Sequence, residues 1–397
     1  MAVEIDPEGD TLLRLKNPVT ELADWIEEPE ARAWKILYNA PDDYPTVEAE
    51  SSGATQESIN EQHTAHDSPP TINNADTEPP PPPELNEEEA EPPIDEVEPE
   101  IHYRVSSGQL KNTSEYFRRM FKGGYRETSP DAADGLRHIE AFYWDPEALL
   151  ILLNIIHARN KLVPQVVTLE MLAKLAQIVD YYKLTDVVSI WSEMWIGELK
   201  KRTMPTDYCW SSVLWTFISW VFGDSDVFEK MTAVALKQSR GKIQTFDLPI
   251  PQFIIDSIDE RRQDVIKAII IGLHSLLAEL RDGKKGCSFT CGSMLLGSLM
   301  RYMHSNNLLS DLSSRPQSPF LGLSFEDTAN GIRSMVSPLW TDQLSYYGYD
   351  NTWHACKLED MVQPIVAGMD QSMKGLRLEE FGVSGRFTYV RPYFVEA

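Results

Sequence analysis

The stretch that decides the fold of the N-terminal half reads IHYRVSSGQLKNTSEYFRRMFK, from Ile101 to Lys122. Residues 101–105 alternate apolar and polar side chains, which is the period of a half-buried strand. Ser106 and Gln109 stand at the spacing of a capping box, so a short helix is predicted directly after this strand. Another helix is predicted from about Ser114, with its apolar side chains on one face.

Upstream of this stretch, residues 9–16 show the same alternation, with apolar Leu13 and Leu15 between basic neighbours. We expect residues 12–15 and 103–105 to lie side by side as paired strands. Lengthening the loop between them from about 4 to about 83 residues costs roughly 2.7 kcal/mol. Burying a single Leu or Val contributes about 1.5–3 kcal/mol, so packing of the strands on a core can outweigh that cost.

Downstream, residues 137–142 are predicted to form a strand, and Asp145-Pro146 supplies an N-cap and first helical residue for an apolar core helix over 147–157. Thr168 is expected to cap the next helix, and a further one starts at Asp186. The C-terminal half is mainly helical, with helices predicted at 226–238, 251–258, 263–281, 294–304, 325–336 and 358–373. The tail at 387–390 has the pattern of a strand.

The net charge of -25 is concentrated in one segment of the 397 residues. Residues 41–100 hold 18 Asp and Glu, no Lys or Arg, and 12 of the 26 prolines. Such a composition predicts a disordered, solvated linker. The five prolines at 79–83 favour polyproline II, and their docking to a recognition domain is the lesser alternative.

Composition also excludes several classes of protein. No concentrated Lys/Arg face is present, so nucleic-acid binding is not expected. The start of the chain has neither the basic nor the apolar region of a secretory signal, and no apolar stretch reaches the roughly 20 residues of a membrane span. Four cysteines do not make a disulfide framework. The sequence therefore predicts an intracellular protein, cytoplasmic, nuclear or both, that does not bind membranes.

Residues 103–110 followed by 114–121 resemble the strand-and-helical-hairpin signature of BTB/POZ domains, in particular those of fungal proteins with a helical C-terminal region. The signature residues are Val105, Leu110, Ser114, Phe117, Met120, Phe121 and Glu127. The resemblance implies an α+β fold, a small mixed sheet capped by a helical cluster. It would comprise 6–17 plus 101–202, split by the insertion 41–100, and be followed by the mainly α-helical region 203–397.

What the resemblance implies about function is non-catalytic protein–protein interaction. Its partners would be other proteins, through homodimerisation or docking, with a cullin scaffold of a ubiquitin ligase among them. Because about nine residues precede the opening strand, the N-terminal elements that long-form relatives exchange between subunits are not expected. That favours a weaker or alternative dimer. The loop 143–146 offers aromatic side chains beside an acid for docking.

One group of residues has the chemistry of a metal site. Cys287 and Cys291 are four residues apart, so they would share a helix face at the start of a helix. His354 and Cys356 follow about 60 residues later, and three cysteines with one histidine make a closed structural zinc set. The alternative is that these cysteines are small buried residues without metal, since cysteine is among the most buried types.

Catalytic signatures are absent: the sequence contains no GxxxxGK[ST], GxGxxG, HExxH or GxSxG motif. We therefore expect no enzymatic activity, and no cofactor other than zinc. Two alternatives remain. One is a metal-containing enzyme with its site in the C-terminal helical region. The other is a transcription-associated regulator that uses the acidic segment, although that segment has few of the aromatic residues such regions carry.

Overall fold

A computed structural model of the protein describes residues 2–23, 100–124, 129–202, 204–309, 316–338 and 355–382. Across these ranges the protein is a mixed α+β structure, mostly helical, with one small sheet. All of them belong to one compact unit, Met1–Ala31 with Glu98–Ala397. The predicted acidic insertion lies outside the described residues, apart from Glu100 at its end.

Four strands form the sheet in the order β1-β3-β2-β4. They are β1 (Ala2–Glu4), β2 (Thr11–Lys16), β3 (Glu100–Val105) and β4 (Arg137–Phe142). β2 and β3 are antiparallel, with Leu13 opposite Tyr103, so the predicted pairing of these two stretches is confirmed. β4 runs parallel to β2 on its other side, and β1, which the sequence analysis did not predict, runs parallel to β3.

Alternation of side chains explains how the sheet meets the core. In β2 every second residue is buried, and Leu13 and Leu15 are 1% and 0% exposed. Asp10, just before β2, contacts the two elements that begin at Ser107 and Arg137. Its carboxylate accepts hydrogen bonds from the backbone N–H and the hydroxyl of Ser107 at 2.7 and 2.8 Å, and it forms an ion pair with Arg137 at 2.5 Å. Burial acts to raise the pKa of Asp10, but these hydrogen bonds and the Arg137 charge hold it below the usual value.

Five α-helices follow among the described residues of the N-terminal half, with bounds close to those predicted. They are α1 (Ser107–Thr113), α2 (Glu115–Lys122), α3 (Pro146–Ile156), α4 (Leu169–Tyr182) and α5 (Ser189–Lys200). The predicted N-caps are confirmed: Ser106 accepts from the Gln109 N–H, and Asp145 accepts from two N–H groups of α3. The reciprocal bond of a capping box is not made at Gln109, because the Ser106 N–H donates instead to Nε2 of His157 at 3.0 Å. Eight of the eleven residues of α3 are buried, as expected of a core helix.

The described parts of the C-terminal half are mainly helical. Its helices are α6 (Trp210–Phe222), α7 (Ser225–Gln238), α8 (Gln252–Arg281), α9 (Phe289–Ser305), α10 (Phe325–Arg333), α11 (Leu358–Val366) and α12 (Met369–Ser372). α6 packs against both α4 and α7, and one continuous core runs from the sheet into this half. Helices on either side of the expected domain boundary at residues 202/203, α4 and α6, therefore pack closely against each other.

The prediction of separate helices at 251–258 and 263–281 is wrong, since α8 is one helix of 30 residues. The run between them, residues 259–262, is entirely charged. Within it, however, Arg262 and Asp259 are buried and paired with each other, so the helix continues through them.

Smaller differences occur at helix ends. α9 starts five residues earlier than expected, because Ser288 caps it by accepting from the Cys291 N–H at 3.2 Å. The segment predicted as one helix at 358–373 divides at Gly368, whose φ of +85° suits a glycine. The strand predicted at 387–390 lies outside the described residues. Among the described residues, no helix is long and apolar enough to cross a membrane.

Candidate functional site

Two places in the structure have the features of a functional site, an aromatic cleft in the N-terminal half and a cluster of cysteines in the C-terminal half. The cleft lies between α2 and the end of α4 and encloses about 430 Å³. We call it the aromatic cleft, and it is lined by Glu115, Tyr116, Arg119, Met120, Tyr181 and Lys183.

Aromatic rings in tilted and edge-on contact build the wall of the aromatic cleft. The ring of Tyr116 on α2 lies 5.4 Å from that of Tyr181 on α4, and Trp144 lies 5.3 Å from Tyr181 on its other side. Trp144 also donates a hydrogen bond to the hydroxyl of Tyr182 at 3.1 Å, and Tyr182 is buried beneath Tyr181. Burial raises the pKa of Tyr182, so this hydroxyl stays protonated.

A good part of this aromatic surface is exposed to solvent. Tyr181 is 51% exposed, and Phe142 and Tyr143, which precede Trp144, are 43% and 64% exposed. Tyr143 sits in the left-handed region at φ 60°, which turns the chain sharply from β4 into α3. Large exposed aromatic groups beside an arginine have the composition of protein–protein contact surfaces.

The charge around the aromatic cleft is basic, against the trend of the whole protein. Residues 107–124 carry four basic side chains and one acidic one, Glu115, whereas the protein as a whole has a net charge of -25. Glu115 is paired with Arg119 at 2.5 Å. A second, larger cleft of about 890 Å³ adjoins the first and shares Glu115 and Lys183 with it. The two clefts together are lined by three basic side chains, Arg118, Arg119 and Lys183, and two acidic ones, Glu115 and Asp186, a small basic excess that favours an acidic ligand.

The residues on which the resemblance to BTB/POZ domains rests lie mainly in the core where the structure describes them. Val105, Leu110 and Phe117 are buried, and Met120 and Phe121 are partly buried against the core. Ser114 caps α2 and donates to the carbonyl of Tyr182 at 2.6 Å, which fixes α2 against the end of α4. Glu127 lies outside the described residues. These side chains hold the aromatic cleft in place, and of them only Met120 lines it.

Most of the aromatic cleft was not predicted from the sequence. The loop 143–146 was singled out as a docking element, but not Tyr116, Arg119 or Tyr181. The adjacent tyrosines at 181 and 182, close to a helix end, are a signal that was present in the sequence. Their meeting with α2 depends on tertiary packing, which no local pattern reports.

The structure brings three of the four predicted metal ligands together. The Sγ atoms of Cys287, Cys291 and Cys356 all lie within 4.8 Å of one another. Cys291 is buried, Cys356 is half-buried and Cys287 is exposed. The fourth predicted ligand, His354, lies outside the described residues. None of the protein's four cysteines forms a disulfide.

Local backbone geometry explains how the cysteines meet. Gly283 ends α8 with a φ of +68°, and Gly286 turns the chain back with a φ of +94°. An added Cβ at Gly286 would lie 3.0 Å from the backbone of Gly292 and 3.5 Å from the Cys291 sulfur, so the turn packs tightly on the first turn of α9. Cys287 precedes the N-cap of α9, and Cys291 lies in its first turn. Cys356 arrives two residues before α11.

Comparison with known proteins does not name a family for this sequence. No protein-family model matches it, and no curated protein is significantly similar to it. The functional conclusion must therefore come from the two sites themselves.

Proposed function

We propose that the protein is a non-catalytic protein–protein interaction protein whose N-terminal part is of BTB/POZ type. Supporting this proposal, the chain order of its elements agrees with the resemblance: paired strands β2 and β3, the helical pair α1 and α2, the parallel strand β4, and then α3 and α4. The hairpin of β2 and β3 is retained across 83 intervening residues.

The observation that carries the proposal is the exposed aromatic cleft with its basic surroundings. Tyr116 and Tyr181 supply rigid apolar area, and Arg119 supplies a charged group at the rim, the residue types that dominate binding energy at protein interfaces. The side chain of Arg119 is 79% exposed and its pair with Glu115 is solvated, so it can be shared with a partner at little cost.

The occupant we propose is a separate protein that presents an apolar side chain flanked by acidic residues. The apolar group would enter the cleft against Tyr116 and Tyr181, and the acidic groups would meet Arg118, Arg119 and Lys183, which line the two adjoining clefts. Complementary charge accelerates association and selects among partners. A cullin is the partner that the resemblance implies, and self-association is the competing use of the same surface.

Affinity purification of the full chain, followed by mass spectrometry, tests the proposal through surface variants. Arg119→Glu and Tyr181→Ala should each reduce recovery of the specific partner about tenfold or more, because truncating or reversing an interface anchor costs more than about 1.4 kcal/mol. Lys201→Glu is the matched control: this lysine is exposed and pairs with Glu198 within one helical turn, but lies outside the aromatic cleft.

Different outcomes separate the alternatives. A partner that is lost with both cleft variants and kept with Lys201→Glu supports the proposal, and its identity decides whether it is a cullin. If light scattering instead shows a dimer that Arg119→Glu converts to a monomer, the occupant is a second copy. Identical partners and identical mass for all variants would remove the aromatic cleft as a docking site.

A further inference from the structure

The cysteine cluster joins two parts of the chain that are far apart in sequence. Cys287 and Cys291 belong to the turn between α8 and α9, and Cys356 stands 65 or more residues later, before α11. Ordinary core packing does not account for all three. Cys291 is buried, as a small apolar residue would be, but Cys287 is exposed and gains nothing from burial.

The geometry of the three sulfurs suits a thiolate-bound metal ion. When no two of three points are more than 4.8 Å apart, some position lies within about 2.8 Å of all three. Zinc–sulfur bonds are about 2.3 Å long, so each sulfur needs to move by only about 0.5 Å. Rotation of the exposed Cys287 side chain provides part of that movement.

The surroundings favour the negative charge that such a centre carries. Three thiolates around Zn²⁺ leave one net negative charge. Cys291 lies in the first turn of the 17-residue helix α9, whose N-terminal N–H groups favour an anion, and that turn contains no acidic residue. Lys285 and Lys357 are close in sequence to two of the cysteines and add positive charge near them.

We propose that Cys287, Cys291 and Cys356 bind one Zn²⁺ ion as thiolates. Each thiol releases its proton to solvent as the Zn–S bond forms, and neither the metal nor sulfur changes oxidation state. The ion ties the turn between α8 and α9 to the start of α11. This site is independent of the aromatic cleft.

Metal analysis of the reduced full-length protein is the first test. We expect about one zinc per chain, and cobalt substituted for zinc should show a thiolate-to-metal charge-transfer band. Cys287→Ser and Cys356→Ser should each weaken zinc binding roughly 100-fold or more. Cys209→Ser is the matched control and should bind zinc normally, because this fourth cysteine caps α6 and is not part of the cluster.

A second measurement needs no variant, so it stands even if a serine variant fails to fold. Cys287 is exposed and should react readily with iodoacetamide in the metal-stripped protein. Zinc should slow its labelling at least tenfold, while Cys209 labels at the same rate with and without metal. Equal labelling of Cys287 in both forms would overturn the proposal. So would full zinc binding by the triple serine variant, or a native mass that shows a disulfide within the cluster.

Discussion

Replacing Arg262 by methionine should destabilise the protein far more than the same change at its neighbour, Arg261. The Arg262 side chain is 0% exposed. Two of its nitrogens bind one carboxylate oxygen of Asp259 at 3.1 and 2.7 Å. It also donates to three backbone carbonyls at 2.8–3.2 Å, those of Pro319, Phe320 and Leu323. One guanidinium thus ties α8 to the chain segment before α10.

The size of the effect follows from what methionine leaves behind. Its side chain fills a similar volume but has no donor, so the buried carboxylate of Asp259 would keep only the hydrogen bond from Gln263 at 2.7 Å. Breaking a buried ion pair by removing one partner costs about 3–5 kcal/mol. Arg261 pairs with Glu380, but both side chains are more than a third exposed, and such pairs contribute about 0–1 kcal/mol.

Urea denaturation followed by tryptophan fluorescence measures both changes, since the protein contains 10 tryptophans. Arg262→Met should lower the free energy of unfolding by about 3–5 kcal/mol and Arg261→Met by less than about 1 kcal/mol. Adding Asp259→Leu to Arg262→Met should restore part of the loss, because no charge is then stranded. The reasoning would be refuted if the two single variants lost the same free energy of unfolding, or if the double variant were less stable than Arg262→Met alone.

Three further changes test other parts of the fold. Gly375→Ala should lower the free energy of unfolding by about 3 kcal/mol or more, because the added Cβ would lie 1.6 Å from a backbone carbonyl of α7. Gly197→Ala, on α5, should raise it by about 0.5–1 kcal/mol, because the added Cβ meets no neighbouring atom. Thermal unfolding compares the two variants. Ser114→Ala should lower the free energy of unfolding measured in urea by about 1–2 kcal/mol, because the hydroxyl's hydrogen bonds to the α2 backbone and to the Tyr182 carbonyl are both lost. A loss near zero would contradict the role of Ser114 in fixing α2. Burial, aided by a nearby carboxylate, raises the pKa of Tyr103 from 10.0 to about 12. The stabilisation from Tyr103 is therefore complete below pH 10 and is lost as the pH rises to 12. In Tyr103→Phe, the free energy of unfolding should fall less steeply between pH 10 and pH 12 than in the unmodified protein.

Strand pairing and helix caps were predictable because each depends on local chemistry. Alternating apolar and polar side chains predicted β2 and β3. Asp145 predicted the start of α3, because its side-chain oxygen can accept hydrogen bonds from the first N–H groups of that helix. β1 was missed because three residues are too short to show a period. The interruption expected within α8 was wrong for a different reason. Charged residues such as Asp259 and Arg262 are normally exposed, and their pairing in the core cannot be read from the sequence.

The candidate sites divide in the same way. Residue type and spacing were enough to pair Cys287 with Cys291 and to suggest Cys356 as their companion. The approach of Cys356 to the turn at Gly286 depends on how α11 packs against α8, which is decided by distant contacts. The aromatic cleft likewise arises where α2 meets the end of α4, and Tyr181 carries no local sign of its neighbour Tyr116.

The position of β2 in the sheet bears on how the molecule is made. β2 lies between β3 and β4, yet it precedes β3 in the chain by 83 residues. A ribosome that adds about 5–20 residues per second needs roughly 4–17 s to deliver β3 after β2, and longer to deliver β4. This interior strand thus leaves the ribosome well before both of its neighbours in the sheet, so its apolar side chains have no strand to pair with until β3 and β4 have been made.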